Sequence, residues 1–184
     1  MPAAVRTAFA VADWFVARAR QTGEALQPLR LQQMLFLAQA RWAAATGGRA
    51  LMPAAFVADE LGPLEPNVHA ALAPGRPTLD LPDPLPEQVA LHLERVWRTC
   101  GSASTEALLR LTTRSQAYVA ARERGPRASI PLAAIAAFGA ELIRDAPPEP
   151  PVTRRLRAQD GRAVRVAAWT PPTKPADKPP EGGG

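Results

Sequence analysis

A helical rhythm of apolar residues, repeatedly cut short by glycine or proline, sets the outline of this chain. Val5, Ala8, Phe9, Ala12, Phe15, Val16 and Ala19 recur at steps of three and four, with Arg6, Asp13, Arg18 and Arg20 on other faces. That spacing lays one apolar stripe along a helix. It predicts a first helix from Ala4 to Arg20, stopped by Thr22-Gly23, with glycine in its usual place after a helix. A second helix follows Pro28, a residue suited to a first turn. Leu31, Met34, Leu35, Ala38 and Trp42 mark its inner face, and Gln32, Gln33, Gln39 and Arg41 are expected on its polar side. Thr46-Gly47-Gly48 ends it.

The same punctuation continues. Gly62-Pro63 reads as a breaker that turns the chain between helices. Pro66 to Leu72 suits a short helix with proline in its first turn. Ala73 to Pro86 holds five prolines and two aspartates and reads as a long loop. Glu87 to Thr99 predicts another helix with Val89, Leu93, Val96 and Trp97 inward, closed at Cys100-Gly101. Ser102 or Ser104 can cap the next one, which carries Leu108, Leu109 and Leu111, and Thr113 or Ser115 can cap another to about Arg124. After Gly125-Pro126, Ser129 before Ile130-Pro131 reads as a cap and proline start. That last helix runs to about Arg144, with Ile130, Ala134, Ile135, Phe138 and Leu142 apolar. The expected fold class is mainly α, a single compact helical domain of six to seven helices over residues 1–145. Trp42 and Trp97 are expected in its core.

From residue 146 the composition changes. The final 39 residues hold nine prolines, and Pro147-Pro148-Glu149-Pro150-Pro151 reads as a stiff extended spacer. Two alternating runs, Arg155–Gln159 and Arg162–Val166, flank Asp160-Gly161, the signal of a β-hairpin with a type I′ turn. This candidate hairpin spans 154–169. An isolated hairpin is only marginally stable, so it is expected to dock. From about Thr170 onward the composition is that of a disordered end.

Charge and cysteine count limit the function classes. The formal net charge is +5, but 17 acidic residues are interspersed, and all of the 22 basic residues except Lys174 and Lys178 are arginine. A scattered, lysine-poor basic surface fits general composition bias better than a phosphate-binding face. The single cysteine, Cys100, excludes a disulfide within the chain. No apolar run approaches the length of a membrane span, and the apolar run near the N-terminus ends at Asp13, too short for a signal peptide. A cytoplasmic protein is expected, with no membrane partner.

Catalytic groups are sparse. His69 and His92, the two histidines, have no Cys, His or carboxylate at metal-ligand spacing. No phosphate-binding glycine loop followed by lysine occurs. Cys100 reads as an idle buried thiol, and Asp59-Glu60 as a solvated pair. No catalytic residue, metal, cofactor or small-molecule substrate is expected, which makes binding the default and an enzyme the least favoured class. The helix pair over 105–124, with Gln116, Tyr118, Arg122 and Glu123 offered as a reading face, gives the alternative of a DNA-binding transcriptional regulator. That face is thin for specific nucleic-acid recognition.

The segments also carry a resemblance. Leu29-Arg30-Leu31-Gln32-Gln33-Met34-Leu35-Phe36-Leu37-Ala38 is followed by Phe56-Val57-Ala58-Asp59-Glu60-Leu61-Gly62-Pro63-Leu64-Glu65-Pro66-Asn67-Val68-His69. Ser104-Thr105-Glu106-Ala107-Leu108-Leu109-Arg110-Leu111-Thr112-Thr113, Tyr118 to Arg122 and Ile130 to Phe138 come after. In order and spacing this resembles the Panacea domain, the SocA-like antitoxin family once known as phage-associated proteins, over about Val5 to Arg144. The chain departs from the family pattern at Gln33 for lysine, Phe36 for tyrosine, Asp59 for tryptophan, His69 for tyrosine and Thr113 for histidine. The resemblance implies an antitoxin that neutralises a cognate toxin protein by direct binding, as an adaptor that hands it to the ClpXP protease. On that reading the partner-binding surface is expected around Gly62 and Pro63, with Asp59, Glu65, Asn67 and His69 exposed beside them, and next at Tyr118 and Arg122. The tail hairpin is a second candidate contact, by strand addition to a toxin's sheet edge.

Overall fold

In the computed structural model, residues 2–72 and 85–145 are described in full, and residues 153–157 and 163–167 by their backbone. The elements run α1 (Ala8–Gln21), α2 (Pro28–Ala45), β1 (Val57–Asp59), β2 (Gly62–Leu64), α3 (Pro66–Ala71), α4 (Glu87–Cys100), α5 (Thr105–Thr113), α6 (Gln116–Glu123), α7 (Leu132–Arg144), β3 (Thr153–Arg157) and β4 (Ala163–Ala167). The protein is mainly α, with seven helices among the described residues. It divides into two compact units, Met1–Ala146 and Pro147–Gly184. The expected loop 73–86 lies outside the described residues up to residue 84, as do the proline spacer at 147–151 and the end from Thr170. No helix among the described residues is long and apolar enough to cross a membrane.

Caps decide where the helices begin. The Thr7 hydroxyl accepts from Ala10 N at 3.2 Å, so α1 starts at Ala8 rather than Ala4. The residues before it are not helical, and Ala4 and Val5 donate to Ala50 O and Leu51 O at 3.0 and 2.9 Å. Of the alternatives, Ser104 caps α5 through Ala107 N, and Ser115 caps α6 through Tyr118 N. Ser129 caps nothing. It sits in a β-bridge with Val57, and Ile130 N bonds Phe56 O at 2.8 Å, so α7 begins only at Leu132, after Pro131. The pairing to β1 wins because it satisfies backbone groups that a cap at Ser129 would leave open.

Helix α2 is the axis of the first unit and touches α1, α4, α5, α7 and β2. Its residues 31–40 are all buried. Phe36 packs edge-on to Phe56 at 5.3 Å and stacks on Phe138 at 5.8 Å between ring centres. Each fully buried Leu, Met or Phe here contributes about 1.5–3 kcal/mol. Gly139 lets α7 close on α2, for a Cβ there would lie 1.9 Å from Ala40 O. The expected polar side of α2 does not exist as a solvent face: Gln32, Gln33 and Gln39 are buried because neighbours cover the helix on every side. Trp97 is in the core as expected, and Trp42 packs against it partly buried, edge-on to His92.

Strands β1 and β2 form a hairpin that the sequence pattern did not predict, with Val57, Ala58 and Asp59 opposite Leu64, Pro63 and Gly62. The turn is Glu60-Leu61. Gly62-Pro63 therefore does not turn the chain between helices; it opens a strand. In the second unit β3 and β4 do pair antiparallel, but Leu156 stands opposite Val164 and Arg155 opposite Arg165. A two-residue Asp160-Gly161 turn would have set Leu156 against Arg165. The register seen is shifted by one residue, which gathers positions 156, 164 and 166 on one face.

Candidate partner-contact site

The hairpin β1–β2 is held from three sides, and most of the predicted contact residues serve in that hold. From α2, Gln33 Nε2 donates to Leu61 O at 3.4 Å and Gln33 Oε1 accepts from the Thr112 hydroxyl at 2.5 Å. Gln32 Oε1 accepts from Glu65 N at 2.8 Å, and Gln39 Oε1 from Met52 N at 3.2 Å. These three amides of one helix thus reach Met52 N, Leu61 O and Glu65 N, while Gln32 Nε2 is buried without a partner. From α6, the Tyr118 hydroxyl donates to Asp59 O at 2.7 Å and Arg122 Nη1 to Ala58 O at 3.4 Å. From the segment after α6, Arg127 pairs with Asp59 Oδ2 at 2.9 Å, its own backbone left-handed at φ 55°. Burial pushes the Tyr118 hydroxyl up from its ordinary pKa, Arg122 pulls it down, and Asp59 and Glu60 push it up again.

The predicted site residues fall into two groups. Gly62, Pro63, Glu65 and Tyr118 are buried, which corrects the expectation that Glu65 is exposed. Glu65 is drawn inward because its carboxylate caps α3, accepting from Val68 N at 2.6 Å and Asn67 Nδ2 at 3.0 Å. Gly62 has φ 96°, and a Cβ there would meet Leu109 Cδ1 at 2.8 Å, so glycine is required by both backbone and space. Asp59 and Arg122 are half-buried, and Asn67 and His69 are exposed. Leu61, at the hairpin tip, is 52% exposed although apolar.

Glu65 and Asn67 also line an open groove of about 520 Å³, whose other wall is Arg6, Thr7, Ala8 and Phe9. The surface this site offers is therefore Leu61 and Glu60 at the tip, Asn67 and His69 on α3, and the groove beside them. Of the five departures from the family pattern, Gln33 and Phe36 are core positions, Asp59 and Thr113 are half-buried, and His69 is exposed.

Sequence reasoning missed the glutamines of α2, Thr112 and Arg127. The signal for the first was present: between Arg30 and Arg41 the helix carries no charged residue, and a helix without charge along ten residues has no true solvent face. The pair α5 and α6 is joined tightly, as a helix–turn–helix would be. Its arginines are largely engaged within the chain, Arg110 on Glu106, Arg122 on Ala58 O, and Arg124 on Ala120 O and Ser129 O. Among the described residues no group of three His, Cys, Asp or Glu is gathered that could hold a metal ion. Comparison with protein-family models, with curated proteins and with solved structures found no match.

Proposed function

We propose that this chain is an antitoxin that neutralises a toxin protein by direct binding, and that it acts as an adaptor presenting the toxin to a ClpXP-type protease. The observation that carries the reading is the ordered set of motif segments resembling the Panacea domain. The structure is consistent with their acting together, since residues 29–38 and 56–69 meet through Gln32, Gln33 and Glu65 around one rigid hairpin. A hairpin clamped on three sides is a preorganised platform, which lowers the ordering cost of binding. The contact surface on this reading is Leu61, Asn67 and His69, with the tail raising effective concentration.

Co-expression with the neighbouring small reading frame tests it. That frame is expected to be lethal alone and tolerated with this chain, the two to co-purify, and the toxin to persist in a strain lacking the protease. A neighbour that is harmless alone, or lethal in both conditions, overturns the reading. Deleting 147–184 separates binding from delivery: unchanged toxin level and binding would remove the tail from the mechanism.

A further inference from the structure

Away from that hairpin, α2, α4, α5 and α7 enclose a pocket of about 200 Å³ lined by Leu37, Cys100, Leu108, Leu111 and Leu142, with Arg41 in its wall. Every neighbour but one is apolar or small, yet Arg41 Nε is buried without an acceptor. Arg41 makes no hydrogen bond or ion pair with any described residue. A guanidinium N–H held away from water and left unpaired is costly and is normally matched by an anion. Leu111 stands at the rim, 39% exposed.

We infer that this pocket is a docking site for a partner protein's helix, which inserts a leucine-class side chain against Leu108 and Leu142 and brings a glutamate or aspartate to Arg41. The pocket has room for one large aliphatic side chain, and the charge complement fixes an acidic neighbour rather than a basic one. A helix puts two such side chains on one face when they stand three or four residues apart. The inference rests on the reading of the chain as a protein binder, but it concerns a different face from the hairpin tip.

The test is an amide-resolved NMR titration of the full chain with a short acetylated, amidated peptide carrying a leucine and a glutamate four residues apart. Shift changes are expected at Leu37, Arg41, Ala107, Leu111 and Leu142. Replacing the peptide's glutamate by glutamine, or Arg41→Gln in the protein, is expected to weaken binding roughly ten- to hundredfold, as for one charge-assisted hydrogen bond. Ala107→Trp, or Ala103→Leu should the first fail to fold, fills the space and is expected to abolish it.

No saturable shifts, shifts confined to the hairpin, or equal affinity of the glutamine peptide overturns the inference. So does sodium decanoate binding where the peptide does not, which would make the site one for a small amphipathic acid. Binding seen only after deletion of 147–184 would also overturn it, by showing that the chain's own tail is the occupant. If the toxin complex forms and is indifferent to Arg41→Gln and Ala107→Trp, the pocket is refuted while the antitoxin reading stands. Peptide binding with no toxin in the neighbourhood does the reverse.

Discussion

Helix α4 buries Val89, Leu93, Val96, Trp97 and Cys100 along one stripe and leaves Leu91, Arg95 and Arg98 to solvent, whereas helix α2 buries ten residues in succession, glutamines included. The two helices hold their places by different means. A stripe helix needs only apolar area on one side, and an exposed polar residue such as Gln88 can be exchanged there because water satisfies it, even though Glu94 and His92 of α4 bond Arg18 and Ala38 O. A helix enclosed by five neighbours must find a partner inside the protein for every polar atom it carries. On α2 the amides meet that demand in part, Gln32, Gln33 and Gln39 bonding Glu65 N, Leu61 O and Met52 N while Gln32 Nε2 and Arg41 Nε stay buried without a partner, so the residues that look most like surface are the ones that attach the hairpin to the core.

The largest effect that would break this contrast is at the crossing of α2 and α7. Gly139→Leu puts a side chain into Ala40 O, which no rotamer relieves, and is expected to cost more than about 3 kcal/mol in urea unfolding, or to prevent folding. Next comes the polar test. Gln33→Leu leaves Leu61 O without its donor and takes from the Thr112 hydroxyl its side-chain acceptor, for an expected loss of about 1–3 kcal/mol. The same change at exposed Gln88 on α4 is expected to stay within about 0.5 kcal/mol. Equal losses at the two glutamines would erase the distinction between the helices.

The smallest effect sharpens it. His92, on α4, meets α2 where its Nε2 bonds Ala38 O at 3.0 Å. Burial lowers its pKa, the bond to Ala38 O partly opposes this, and Arg41 and Arg95 lower it further. A histidine favoured neutral in the fold binds more protons when unfolded, so stability is held above the ordinary histidine pKa of about 6.5 and declines as pH falls below it. His92→Gln is expected to flatten that decline. An unchanged slope between the two proteins would remove His92 from the contact.

The number and order of helices were legible because each is bounded by a glycine, a proline or a capping hydroxyl, and local signals of that kind act over a few residues. Thr7 and Ser129 show where locality fails. The first starts α1 late because Ala4 and Val5 find backbone partners at Ala50 and Leu51, and the second is taken by Val57, 72 positions earlier in the chain. The hairpin β1–β2 escaped for the same reason. Strands of three residues carry little alternation to detect, and this one is fixed by Tyr118, Arg122 and Gln33 from distant segments. Of the candidate site, the residues were found and their burial was not. Glu65 and Tyr118 are chemically suited to a surface, and only the cap on α3 and the reach to Asp59 O send them inward.

One detail of the hairpin bears on how the chain avoids its own copies. Ala58 spends both backbone groups on the segment 127–128, donating to Ala128 O at 2.9 Å and accepting from Arg127 N at 3.2 Å. Its opposite number, Pro63, consequently faces away from β1 in the alternating ladder. That outer rim of β2 thus offers one carbonyl and no N–H, because the residue placed there is the one that lacks a donor. Templated growth of the sheet, whether by misfolded chains or by a crowded nascent one, meets on one side an edge without a donor that is buried against α2 and α5, and an occupied one on the other.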